Sequence, residues 1–227
     1  MRGGTRDRLV QAAGLLFAER GYQSAAVADI LERAGANSGS LYHFFESKRD
    51  LLVEVLDRHR RDLAQQLASP DLLDISDPVD RVFRLLGSYR DALAANGCRR
   101  GCPVGALIAE VRDPDQQVRA AMEAYFDLWL DSVERWFEEA AVQSPLGREP
   151  RDLATLTLAV AQGAIVEALA RRSIEPFDRA LALLRQALAG LGRAAEVGAE
   201  ARDWAVSARD RKQKASLLDR DREIVAP

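Results

Sequence analysis

Gly35-Ala36-Asn37-Ser38-Gly39-Ser40-Leu41-Tyr42-His43-Phe44-Phe45-Glu46-Ser47-Lys48 is the stretch on which the reading of this chain turns. Gly35 ends one helix, Asn37 caps a very short one over Ser38–Phe44, and Ser47 opens another at Lys48. Each assignment has a local cause. Glycine tolerates the left-handed residue that stops a helix, and Asn accepts a hydrogen bond from a free first-turn amide. Ser47 with Asp50 approximates a capping box. Upstream, Leu9, Ala12, Ala13, Leu16 and Phe17 share one face at helical spacing; Gly21 stops that helix and Tyr22 packs back on it. Val27, Ile30, Leu31 and Ala34 mark a second helix. Helix, tight turn and short polar-aromatic helix make the geometry that lays side chains in a DNA major groove.

Outward from this segment the signals stay helical, and the fold class is all-α: Ala, Leu, Arg, Glu and Asp abound, and no alternating strand bounded by hairpin turns occurs. Leu51, Leu52, Val55, Leu56, Leu63 and Leu67 predict a fourth helix of about 20 residues, a connector of roughly 30 Å. Ser69-Pro70 and Asp77-Pro78 bracket a loop, and Pro78 starts the next helix, with a stripe of Val79, Val82, Phe83, Leu86 and Leu93. Residues 96–103 read as a loop and Val104–Val111 as a short apolar helix. Asp113-Pro114 starts a long helix, and 144–150 is a break. Two more helices follow, about Asp152–Arg172 and Pro176–Leu191. The expected division is a helix-turn-helix domain over 1–50, a helical effector and dimerisation domain over 51–192, and a tail over 193–227. That tail carries eight basic and seven acidic residues and reads as a frayed helix or disordered.

Composition sets limits. The 227 residues carry a formal net charge of -3, so the chain is not globally a basic nucleic-acid binder. Residues 1–49 hold seven Lys/Arg against five Asp/Glu, so DNA affinity rests on local placement and on having two copies. No apolar run approaches the roughly 20 residues of a membrane span, and the reading is a soluble, cytoplasmic chain. No Gly-rich phosphate loop, Gly-x-Ser-x-Gly elbow or paired-Cys zinc pattern occurs, and His43 and His59 lie far apart. Neither an enzyme nor a cofactor or metal site is expected.

Gly21-Tyr22, Val27-x-Asp29-Ile30, Ala34-Gly35, Gly39-Ser40-Leu41-Tyr42-His43-Phe44 and Lys48-x-x-Leu51-Leu52 together resemble the TetR family of transcriptional regulators. The resemblance covers about residues 6–54 and implies a homodimer that is usually a repressor released from its operator by a small molecule. It makes Ser38–Phe44 the recognition helix. Ser38, Gly39, Ser40, Tyr42 and His43 face groove and phosphates, Leu41 and Phe44 face the core, and Lys48 contacts a phosphate at a helix N-terminus. The chain departs from the family at Ala25 and Ala26, where a Thr or Ser pair is usual; Ser24 is expected to cap instead. The recognition helix carries no Arg, Asn or Gln for bidentate base readout, which shifts weight to Ser and Tyr contacts and DNA shape. Gly101-Cys102-Pro103-Val104-Gly105-Ala106-Leu107 is similar to a subgroup controlling multidrug efflux genes, some responding to flavonoid-like aromatics. Ala161–Ala168 is similar to a dimerisation helix, with Leu158, Gly163, Ile165, Leu169, Leu181, Leu184 and Leu188 expected at a four-helix interface.

Five of the fourteen aromatics, Tyr125, Phe126, Trp129, Trp136 and Phe137, fall within thirteen residues on more than one helix face. With Val133 and the facing Phe83, Leu86, Leu93, Leu107 and Val111 they read as the wall of a pocket for a planar hydrophobic effector, Tyr89 adding a polar tip. Cys98 and Cys102 beside Arg99 and Arg100 leave a redox switch as an alternative, since cations favour thiolates. A second alternative is an adaptor that has lost DNA recognition, motivated by Ala25 and Ala26.

Overall fold

Leu9, Ala12, Ala13, Leu16 and Phe17 are all buried, as their spacing requires, and the segment forms α1 (Thr5–Arg20). The computed structural model describes residues 4–111, 113–143 and 147–191. Gly21 ends α1 at φ 83°, and Tyr22 folds back edge-on against Phe17 with ring centroids 5.2 Å apart. α2 (Val27–Ala34) closes at Gly35 (φ 58°) in a Schellman turn: Gly35 N–H donates to the Glu32 carbonyl and Ala36 N–H to that of Leu31. The N-cap of α2 is Ala26, with no side-chain bond, so Ser24 does not replace the missing Thr or Ser. A side chain two residues upstream of the N-cap is too far back to reach the first-turn amides.

α3 (Ser38–Phe44) starts where Asn37 accepts a hydrogen bond from Ser40 N–H at 2.8 Å. Leu41 is buried, but Phe44 is 40% exposed and Phe45, one residue later, is buried in its place. The helix ends at Phe44, and the extended backbone of Phe45 (φ -139°) turns that ring inward, which corrects the expectation for Phe44. α4 (Lys48–Leu67) opens with Ser47 Oγ accepting from Asp50 N–H, and buries all six of its predicted leucine and valine positions.

The expected loop after Ser69 contains a four-residue helix, α5 (Pro70–Leu73), seeded by Pro70 in its first turn and anchored by buried Leu72. α6 (Pro78–Ala95) is capped by Asp77, α7 spans Pro103–Glu110, and α8 spans Gln116–Gln143. Asp115, not Asp113, caps α8, accepting from Gln117 and Val118 amides. α9 (Pro150–Arg171) and a final helix, α10, over 175–191 complete the described chain. No strand occurs among the described residues. The expected 193–227 tail lies outside them.

α8 is the central column, with α4, α6 and α9 packed on it, while α1 carries α2, α3 and α4. One apolar cluster runs from Leu9 through α4 and α8 to Leu188, so α4 is shared between the N-terminal bundle and the rest. By length and composition α9 is apolar enough to cross a membrane, contrary to the sequence expectation. Here Leu153, Ala154, Thr157, Ala161, Ala164, Ile165 and Ala168 are buried within the protein, and the Thr157 hydroxyl is satisfied by the Leu153 carbonyl.

Candidate DNA-reading face and effector cavity

The short α3 presents Ser38, Gly39, Tyr42 and His43 to solvent; Tyr42 is 60% exposed and Ser40 half-buried. These are the positions expected to face DNA, brought onto one surface by Leu41 pinning the opposite side. Lys48 lies next to that surface. Its ammonium sits 4.6 Å from the centre of the Tyr22 ring and 3.4 Å from the Gln23 carbonyl oxygen. Burial lowers its pKa from the ordinary lysine value, with the Glu110 carboxylate offsetting part of that. Arg49 beside it pairs with Asp50 and with Asp115 at the start of α8.

The aromatic cluster divides. Tyr125, Phe126 and Trp129 line a cavity of about 460 Å³ closed by Tyr89 and Leu93 of α6, by residues 100–103, and by Leu158, Gln162 and Ile165 of α9. That volume suits a small organic ligand. Trp129 Nε1 donates to the Tyr89 hydroxyl at 3.0 Å, and burial pushes both Tyr89 and Tyr125 above the ordinary phenol range, so both stay neutral donors. Tyr125 meets Phe126 edge-on, centroids 5.3 Å apart. Trp136 and Phe137 are core.

Phe83, Leu86, Leu107, Val111 and Val133 do not line this cavity. Leu86 and Val133 are fully buried core, and Phe83 packs beneath the Arg185 guanidinium, 4.0 Å from its ring centre. Leu107 lines a separate cavity of about 150 Å³, and Val111 is the half-buried C-cap of α7. Which stripe of each helix faces the void depends on how the helices are rotated against each other. Arg100 and Gln162 were missed as lining residues, and Leu158 and Ile165 were assigned to the dimer face; only the approach of α9 to α6 brings them to the cavity.

Residues 9–55 match the family described as bacterial regulatory proteins, tetR family, and residues 78–182 match the transcriptional regulator LmrA/YxaF-like C-terminal domain. An uncharacterised HTH-type transcriptional regulator of Mycobacterium tuberculosis, Rv0196, is 32% identical over 82% of this chain and 94% of its own. The chain belongs to the TetR family of transcriptional regulators. The transcriptional repressor NemR of Escherichia coli is 30% identical over 82% of this chain and 94% of its own. The crystal structure of NemR in its reduced form superposes with a TM-score of 0.71 at 28% identity, over 81% of this chain and 96% of that one.

In this regulator the loop at 100–103 is a shared wall. Arg100, Gly101, Cys102 and Pro103 border the large cavity on one side. On the other they border the smaller cavity, whose far side is Gly14, Phe17 and Ala18 of α1 and Val55 and His59 of α4. α7 continues from that wall to Glu110, whose carboxylate accepts from Gln23 N–H at 3.4 Å and lies where a Cβ on Gly21 would come within 2.5 Å of it. The positive φ is what favours a glycine at 21, while a side chain there would also displace the Glu110 carboxylate.

The dimerisation candidates are mostly turned inward. Leu184 and Leu188 are buried in the protein's own core, Ile165 and Leu158 line the cavity, Leu181 is half-buried, and Leu169 packs on Gly101. Gly163 is exposed, with nothing within 4 Å of a Cβ built on it. It belongs to an outward stripe of Leu156, Ala159, Gly163, Val166 and Ala170, beside exposed Leu183 on α10.

Proposed function

We propose that this regulator is a repressor that binds a palindromic operator as a homodimer and is released by a small hydrophobic or aromatic effector. The observation that carries the reading is the wall at 100–103, which touches the aromatic cavity on one side and the α1–α4 junction on the other. A ligand pressing on that wall has a short path to α4 and to the groove-facing α3. Ser38, Gly39, Ser40, Tyr42, His43 and Lys48 are the proposed DNA contacts, and Tyr89, Tyr125, Phe126 and Trp129 the proposed effector contacts. The outward stripe of α9 with Leu183 is the proposed dimer face, small at Ala159 and Gly163 so that backbones approach closely. Two α3 helices then enter successive major grooves about 34–36 Å apart. The effector must bind the DNA-incompetent arrangement better, or no release follows.

Selection of bound sequences from random DNA tests the first half: a palindrome is expected, and failure to enrich one supports the adaptor reading instead. Trp129→Ala with Phe126→Ala tests the second. Effector-driven release should be lost while the fold and basal operator binding persist; unchanged release ends the cavity assignment.

Cys102 favours a second reading. It is a half-buried free thiol in the cavity wall, near the Tyr125 hydroxyl, whereas Cys98 is a buried free thiol. Oxidation of Cys102 to a sulfenic acid would enlarge and polarise the wall where a ligand would press. Mild peroxide should then lower operator binding in the native chain and not in Cys102→Ser; equal responses reject it.

A further inference from the structure

The geometry points to a hydrophobic carboxylate as the effector: a compact aromatic or alkyl body with one anionic head group held by Arg100. This rests on the cavity assignment above and adds the charge of the ligand. Among the described residues Arg100 is the one charged residue lining the cavity, and no Asp or Glu lines it. Two other arginines nearby are engaged. Arg90 pairs with Asp178, and Arg172 donates to the Cys98 carbonyl. Among the described residues no ion pair reaches Arg100, which is exposed and lines the cavity.

Its backbone is held from two sides. The Asn96 carboxamide accepts from Arg99 N–H at 2.7 Å and Arg100 N–H at 3.0 Å, and donates to the Arg100 carbonyl at 2.9 Å and the Ala92 carbonyl at 2.7 Å. Asn96 is thereby saturated, so it acts as the staple of the loop rather than as a ligand contact. Gly101 then presses on α9, where a Cβ would fall 2.5 Å from Ile165 Cγ2. The guanidinium is thus offered from a fixed backbone, which favours bidentate carboxylate binding. Deeper in, Tyr89 accepts from Trp129 and keeps its own proton to donate. Apart from the uncharged polar groups of Asn96, Cys102 and Gln162, the rest of the lining is apolar or aromatic, and none of it would compensate a second charge.

The test uses the intact chain with 2-naphthoate and its uncharged counterpart 2-naphthamide, read by isothermal titration calorimetry. The acid should bind about tenfold more tightly than the amide, as a partly solvated charge-assisted pair allows. Arg100→Gln should erase that preference and Arg100→Lys should keep part of it. Arg99→Gln, which alters a neighbour that does not line the cavity, should leave it intact. Equal affinity for acid and amide overturns the proposal while leaving the cavity assignment standing. So does a loss in Arg99→Gln as large as in Arg100→Gln, which would signal a diffuse field. Binding of neither probe overturns both. Matching circular-dichroism melts show that the variants are folded.

Discussion

Lys48 carries two kinds of contact at once. Its ammonium is held over Tyr22 and near the Gln23 carbonyl, and partial burial lowers its pKa. Replacing it with Met should weaken binding across operator sequences alike and flatten the salt dependence by about one unit per protomer. Fluorescence anisotropy across a KCl series measures both, and an unchanged slope would remove Lys48 from the DNA contacts. His59 poses a different question. Burial lowers its pKa below 6.5, with Asp62 opposing and Arg58 assisting. The folded state therefore binds fewer protons than the unfolded one, and stability falls as the pH drops from about 6.5 toward the folded value. The melting temperature should decrease between pH 7.5 and 5.5, and His59→Gln should lose much of that decrease; identical profiles would contradict it. At this scale the sequence was legible where the cause is local. Asn37 caps α3 and Gly35 closes α2 for reasons contained in four or five residues. Phe44 was misread because a seven-residue helix leaves its last position without a turn to hold it, and only the exit of the chain decided that Phe45 goes in.

Among the elements, α7 has the most consequential placement. Its first residues share the cavity wall and its last residue grips the start of the helix-turn-helix through Glu110. Asp115, just beyond, holds Arg49 at 3.1 Å, and the Glu110 carboxylate is close enough to act electrostatically on Lys48, so the α7–α8 junction bears on both cations that open α4. Glu110→Gln should keep a weaker amide contact but remove the charge facing Lys48. The factor by which an effector changes operator affinity should fall about two- to fivefold, on the scale of a single weakened charge-assisted bond. Operator titrations with and without effector give that factor; an unaltered ratio would make α4 alone the connector. The long helices were readable from their periodicity, since six apolar positions of α4 recur at helical spacing and all six are buried. α5 was not, because four residues are too few to show a period and proline there reads equally as a break. In α9 apolar residues surround the helix, and a pattern without a polar face says little about which side is inside.

The whole molecule raises the question of what covers that outer side. Val166 is 64% exposed and Leu183 60% exposed, on the stripe with Ala159 and Gly163. Val166→Glu with Leu183→Glu should convert a dimer to a monomer in sedimentation velocity and lower operator affinity by at least about a hundredfold, since half-site cooperation is lost. A double variant that stays dimeric would place the interface elsewhere. The sequence by itself determined the long helices, the stops and caps at Gly35, Asn37 and Ser47, the helix-turn-helix and the family, because these follow from contacts within a few turns of chain. Tertiary structure alone decided which residues line the cavity, Arg100 among them, and that Leu184 and Leu188 face the protein's own core. The rotation of one helix against another is set by how side chains interlock across α6, α8 and α9, and no single helix carries that information.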